Sequence, residues 1–168
     1  YIIAKIIKEE YKTDLTANEI VIVLFYNEFI TKYYGFDFEY QIKDYLAQKG
    51  IFSFMAKDLD DEYKIDLIVY FGLWRIGIQC KSETFDSAKV SYKDKEYYHT
   101  KHQKSIDDDV CDYVIFAYHS KDGIQLIDMD LTPIDKHLEP KNYAVLEEVR
   151  RLIDMLEQLK EDNKKDPN

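Results

Sequence analysis

At 168 residues, 46% of them hydrophobic, the chain is sized for one domain with a proper core. A formal charge of -10 and a pI near 4.9 exclude an extended basic clamp, because non-specific nucleic-acid affinity is carried by Lys and Arg contacts to phosphates. Two cysteines, Cys80 and Cys111, in no CxxC spacing, give neither a disulfide framework nor a zinc knuckle, and they fit a reducing, cytoplasmic setting.

In chain order, Ile2, Ile3, Ile6 and Ile7 stand at helical spacing and predict a short amphipathic helix over residues 1–12. The chain opens on Tyr1 rather than methionine, so a piece of a longer polypeptide or complex is expected. Thr16-Ala-Asn-Glu19 reads as a capping box, starting a helix that runs to Tyr34 and stops at Gly35. Its longest apolar run, Ile20 to Tyr26, is far short of a bilayer span, so no membrane partner is expected. A further helix, Phe36 to Lys49, carries Phe38, Ile42, Tyr45 and Leu46 on one stripe and closes at Gly50. Glu39 shares that stripe, where a carboxylate either reaches water at the edge or is aimed at something specific. Ile51 to Met55 reads as the first strand. Lys57 to Glu62 reads as an acidic turn, which lacks the sixth-position glycine and twelfth-position glutamate of a calcium loop.

Tyr63 to Glu83 holds two β-rich runs around Gly72-Leu73, a hairpin in which Gly72 supplies the positive φ of a type II′ turn. Counting outward pairs Phe71 with Trp74 and sets Asp66 opposite Gln79. Alternation then puts Asp66, Gln79 and Lys81 on one face, and Ile65, Leu67, Val69, Ile76, Ile78 and Cys80 on the other. An acid, an amide oxygen and an ammonium within cross-strand reach of one another suit one ion and one water, which is phosphodiester-cleaving geometry.

Glu83 to Ile106 is the one markedly basic stretch, with Lys89, Lys93, Lys95, Lys101 and Lys104 among Tyr97 and Tyr98, and is the candidate phosphate-backbone contact. His99 and His102 lack partners in zinc spacing and read as surface histidines. Asp107 to Asp109 should stop that helix. Val110 to Tyr118 and Ile124 to Met129 are strands about the turn Lys121-Asp-Gly123, and Pro133 and Pro140 punctuate a connector. A final helix from Lys141 or Asn142 carries Val145, Leu146, Val149, Leu152, Ile153, Leu156 and Leu159 on a clean stripe.

The order of helix with Glu39, strand, hairpin with Asp66, Gln79 and Lys81, basic helical segment and two strands resembles the PD-(D/E)xK, or restriction-endonuclease-like, nuclease superfamily. The match runs from Phe38-Glu39 through Leu46 and Lys49-Gly50 to Ile65-Asp66 and Ile78-Gln79-Cys80-Lys81. It is similar to Mrr-type restriction enzymes and to archaeal Holliday-junction resolvases. Gln79 stands where most of the superfamily has a second acid, as it does in Mrr-type enzymes.

The resemblance implies an α/β fold with an αβββαβ core and a central mixed sheet flanked by helices. The single domain would then comprise a helical N-terminal extension over 1–35, the core over 36–130 and a C-terminal helix over 141–163. It also implies a Mg²⁺- or Mn²⁺-dependent DNA endonuclease in restriction and defence or in recombination and repair. The ion would lie between Asp66, the Gln79 amide oxygen and the Cys80 backbone carbonyl, with Glu39 as an outer carboxylate, while Lys81 acts on the attacking water or the phosphate. DNA is the expected partner and pairing of two copies is compatible with it. The alternatives are a catalytically inactive relative that binds nucleic acid or protein, and an oligomerisation module built on the Ile20–Ile30 helix and the Val145–Leu159 stripe.

Overall fold

The computed structural model describes residues 16–81, 89–120, 123–125 and 137–165. The helix expected over 1–12, the turn residues 121–122 and the part of the last predicted strand beyond Gln125 lie outside them. The chain forms two compact units, residues 1–36 and 37–168. Among the described residues no helix is long and apolar enough to cross a membrane.

In the first unit, helix α1 (Ala17–Gln48) starts at the capping box read from the sequence. Glu19 Oε2 accepts from the Thr16 backbone N–H at 2.7 Å, and the Glu19 N–H donates to Thr16 Oγ1 at 3.3 Å. The stop expected at Gly35 does not occur. A glycine with helical φ costs a helix about 1 kcal/mol but ends it only by turning left-handed, and among the described residues the positive φ values belong to Lys64, Asp109, Gly50 and Gly72, not to Gly35.

In the second unit α1 ends at Gly50, whose φ is +74°. The Ile51 N–H reaches back to Leu46 O at 2.8 Å and the Gly50 N–H to Ala47 O at 3.0 Å, the paired bonds of a Schellman end. There follow β1 (Phe52–Met55), α2 (Lys57–Tyr63), β2 (Leu67–Phe71), β3 (Trp74–Lys81), α3 (Tyr92–Asp107), β4 (Tyr113–Ser120), β5 (Gly123–Gln125) and α4 (Val145–Lys165). The acidic segment expected as a turn is thus the helix α2. It has no internal Gly or Pro, it places Asp58 and Asp60 where the positive N-terminal end favours them, and it ends on Lys64 in left-handed conformation. The last helix begins three residues after Asn142, because the Asn142 side chain accepts from the Ala144 N–H at 3.0 Å and holds that residue in a preceding turn.

The five strands form one mixed sheet in sequence order. β1, β2 and β3 are an antiparallel meander, β4 runs parallel to β3 after the crossover through α3, and β5 returns antiparallel. The hairpin has the register expected, Phe71 opposite Trp74, and Gly72 has φ +61°. One sheet face, with Leu67, Val69, Ile76, Ile78 and Ile115, is covered by α4 and by the second half of α1, where the Tyr45 hydroxyl donates to Met155 O at 3.1 Å. The other, with Gly77, Gln79, Val114 and Phe116, lies under α3. The protein is therefore α/β, a mixed sheet flanked by helices.

Gly77 matters because a side chain there would collide. A Cβ would stand 3.0 Å from Ile65 Cδ1 and 3.3 Å from Val114 Cγ2. Gly77→Ala is expected to cost about 1–2 kcal/mol by overpacking, read as a lower urea midpoint at unchanged slope. An unshifted midpoint would mean that Ile65 swings aside freely.

Candidate active site

The site is built where β2 and β3 part. Along a strand the N–H and C=O of one residue point to the same neighbour. Asp66 breaks this: its N–H donates to Ile78 O in β3 at 2.9 Å, while its C=O accepts from the Ala56 N–H, just beyond β1, at 2.8 Å. The backbone turns at this residue, so strict alternation fails. Ile65, expected on the face of Leu67, instead packs against Gly77 on the opposite face. The Asp66 carboxylate is brought toward the edge of β3, where Oδ2 accepts the Cys80 N–H at 2.6 Å. Among the described residues Oδ1 accepts no hydrogen bond.

Glu39, from α1, stands beside it. This half-buried carboxylate makes no hydrogen bond or ion pair with a described residue. Burial, then the charges of Asp66 and Asp60, raise its pKa to about 7, against a smaller pull from Lys57. Burial likewise raises Asp66 to about 6, with Asp60 adding to it, while the Cys80 N–H, Lys81 and Lys64 act the other way. In both carboxyls burial is the largest cause, and the nearby lysines offset it only in part, so the negative charge of each is incompletely compensated. The Cys80 side chain packs against the core, as expected, and its thiol is pushed well above the usual range by burial and by the charges of Asp66 and Glu39.

Gln79 and Lys81 project to the α3 side. The Lys81 ammonium sits 4.6 Å from the centre of the Tyr98 ring and attracts the Asp66 charge. Gln79, 1% exposed, does not turn its amide oxygen to the carboxylates: Oε1 lies 3.1 Å from His102 Nε2, which is also 3.3 Å from Lys64 O. His102 is thus not the surface residue its spacing suggested. It is wholly buried, against Phe116 at 4.9 Å between ring centres and Tyr98 at 6.3 Å, and burial drives its pKa down to about 3, so it is neutral. The missed signal was periodicity: Tyr98, His102, Ser105 and Ile106 fall at i, i+4, i+7 and i+8, one helix face.

The lysines of the basic stretch are dispersed. Lys93 is exposed on α3, Lys95 is half-buried, Lys101 lies over the Tyr97 ring at 5.8 Å, and Lys89 precedes the helix. Lys104 is tied down by Glu62 and by Asp108 at 3.4 Å, over the Tyr63 ring at 4.9 Å. It is therefore a poor candidate for a phosphate contact, since binding one would break two ion pairs.

A hard dication prefers oxygen donors. Among the described residues no three His, Cys, Asp or Glu side chains gather as a metal cluster. What is present is Asp66 Oδ1, the Glu39 carboxylate and the Cys80 carbonyl, which by strand geometry points the same way as the N–H that Asp66 accepts. Two under-compensated carboxylates and a backbone carbonyl, completed by water, fit Mg²⁺ or Mn²⁺. Compared with known proteins, the chain matches no protein-family model, no curated protein and no solved structure.

Proposed function

We propose that the chain is a Mg²⁺- or Mn²⁺-dependent DNA endonuclease with a restriction-endonuclease-like core, acting in restriction and defence or in recombination and repair. The observation that carries this reading is the Glu39–Asp66 pair, two carboxylates of raised pKa at the parting of β2 and β3, with Lys81 within electrostatic reach. The element order, an antiparallel three-strand meander followed by a crossover helix and a parallel strand, supports it.

Asp66 and Glu39 would hold the ion, with the Cys80 carbonyl as a third oxygen. The bound ion would polarise the scissile phosphate and stabilise the leaving oxygen. Asp66 is fixed for this by the Cys80 N–H, so little reorganisation is needed when a cation enters. Lys81 has its ammonium against a ring face rather than in an ion pair, and it would orient the attacking water or neutralise charge building on phosphorus. The net charge of -10 makes DNA contact local, and cutting both strands of a duplex would draw two copies together.

One observation favours a second reading, a nuclease-fold domain that binds without cutting: the residue in the usual second-acid slot, Gln79, is held by His102. The two are separated by incubating the protein with supercoiled plasmid and with a four-way DNA junction, each with Mg²⁺, Mn²⁺ or chelator, beside Lys81→Ala. The nuclease reading expects cutting that the chelator abolishes and that Lys81→Ala slows by about a hundredfold or more. No cutting, together with no Mn²⁺ binding by calorimetry, would favour the binding module.

A further inference from the structure

We infer that Gln79 is a hydrogen-bond donor to a substrate phosphate, held in that orientation by His102, and not a ligand of the ion; this rests on the phosphodiester-cleaving reading above. The orientation follows by elimination. A backbone carbonyl can only accept, so His102 Nε2, 3.3 Å from Lys64 O, must carry the ring hydrogen. The Gln79 atom 3.1 Å from the same nitrogen must then be an acceptor, the amide oxygen. A planar amide with its oxygen so placed turns its NH₂ the other way. That NH₂ bonds to no described residue, although Gln79 is only 1% exposed, and it is not among the polar atoms sealed from water.

Two N–H donors in a nearly dry place are under-satisfied without a partner. Their surroundings select it. Lys81, whose charge acts on Asp66, projects two residues along from Gln79 on the same side of β3, and the Cys80 between them donates its N–H to Asp66 Oδ2. An acceptor that meets an ammonium and an amide NH₂ next to a carboxylate-held cation is an anionic oxygen, as on a phosphodiester. A carbonyl already facing the His102 donor is poorly placed to ligate a cation as well. His102 is the positioning residue: neutral, clamped by Tyr98 and Phe116, and bridging Lys64 ahead of β2 to Gln79 in β3. In this arrangement the cation's compensating charge comes from Asp66 and Glu39.

The donor and ligand roles predict opposite signs for Gln79→Glu. An added carboxylate would tighten Mn²⁺ if position 79 were a ligand; as a phosphate donor lost and replaced by a negative charge, it would instead weaken DNA binding. The test is nitrogen-15 NMR of the full chain, with the Gln79 NH₂ signals identified by their absence in Gln79→Glu. The probes are Ca²⁺ alone and a short DNA duplex with Ca²⁺. The NH₂ signals are expected to move with DNA and not with Ca²⁺ alone. Gln79→Glu is expected to weaken DNA about tenfold or more while Mn²⁺ affinity by calorimetry stays within about threefold. His102→Leu should weaken DNA similarly but add nothing in a Gln79→Leu background, a coupling that a general loss of stability would not produce.

Signals moved by Ca²⁺ alone, or Mn²⁺ tightened in Gln79→Glu, would overturn the inference in favour of an ion ligand. Signals unmoved by DNA in a protein that cuts would overturn it and leave the nuclease standing. Signals moved by DNA in a protein that never cuts would uphold the donor role and sink the nuclease instead.

Discussion

Asp66→Ala is expected to lower Mg²⁺-dependent cleavage of supercoiled plasmid by about a thousandfold or more, while the variant stays folded. Asp66 is the residue on which the site converges: its Oδ2 is fixed by the Cys80 N–H, its Oδ1 accepts no hydrogen bond from a described residue, and its charge is felt by Glu39 and Cys80. Alanine would remove an oxygen that the cation needs and leave it Glu39 alone of the two proposed carboxylate ligands. The fold should tolerate the change, because Asp66 is a strained charge rather than a packing residue, with burial already opposing its ionisation. Calorimetry should show Mn²⁺ affinity lost in parallel with cleavage. Cleavage within tenfold of the parent protein would remove Asp66, and with it the proposed centre, from the chemistry.

The second large effect is on stability. Asp66 rises from 3.8 to about 6 and Glu39 from 4.5 to about 7 on folding, so the folded protein holds both protons more tightly than the unfolded chain. Their contribution to stability is therefore fullest below pH about 4 and is lost as pH rises through about 7, the reverse of an ion-paired carboxylate. At about 1.4 kcal/mol per unit, Asp66 alone is worth on the order of 3 kcal/mol; the half-buried Glu39 adds less, because solvent screens it. The urea midpoint should be higher at pH 5 than at pH 8, and Glu39→Gln should flatten the difference. Mg²⁺ should restore the midpoint at pH 8, where both groups are ionised, and do little at pH 5, where protons compete for the same oxygens. A Glu39→Gln curve parallel to the parent curve would show that Glu39 does not hold its proton more tightly in the folded protein.

The sequence was most legible where one local rule had no competitor. The capping box at Thr16, the Gly50 helix end, the Gly72 turn and the stripe of α4 follow from capping, positive φ and periodicity, and they stand as read. Gly35 misled because a glycine is only permitted, not compelled, to turn left-handed, and the helix continues through it. The Lys57–Glu62 segment misled because acidity suggested a solvated turn, although nothing in it breaks a helix. The hairpin register was legible from Phe71 opposite Trp74 back to Leu67 opposite Ile78, but at Asp66, expected opposite Gln79, neither the register nor the side-chain directions were. Alternation assumes a regular strand, and Asp66 lies where the backbone turns from one neighbour to the other. Gln79 and Asp66 were read as sharing a target, whereas the buried His102 on α3 takes the Gln79 oxygen, a contact between residues 23 apart that no local pattern encodes.

The hydrogen bond from Tyr45 to Met155 joins residues 110 apart and closes α1 against α4. A chain made from its N-terminus therefore exposes Ile42 and Leu46 long before Leu152 and Leu156 exist to cover them. The meander can form early, since its strands are neighbours in sequence, and the second half of α1 is there to cover part of its apolar face, but the part that α4 covers stays open until synthesis has passed residue 156. Until then part of the apolar face of the sheet has only water against it, which is the kind of surface that aggregates or is held by chaperones.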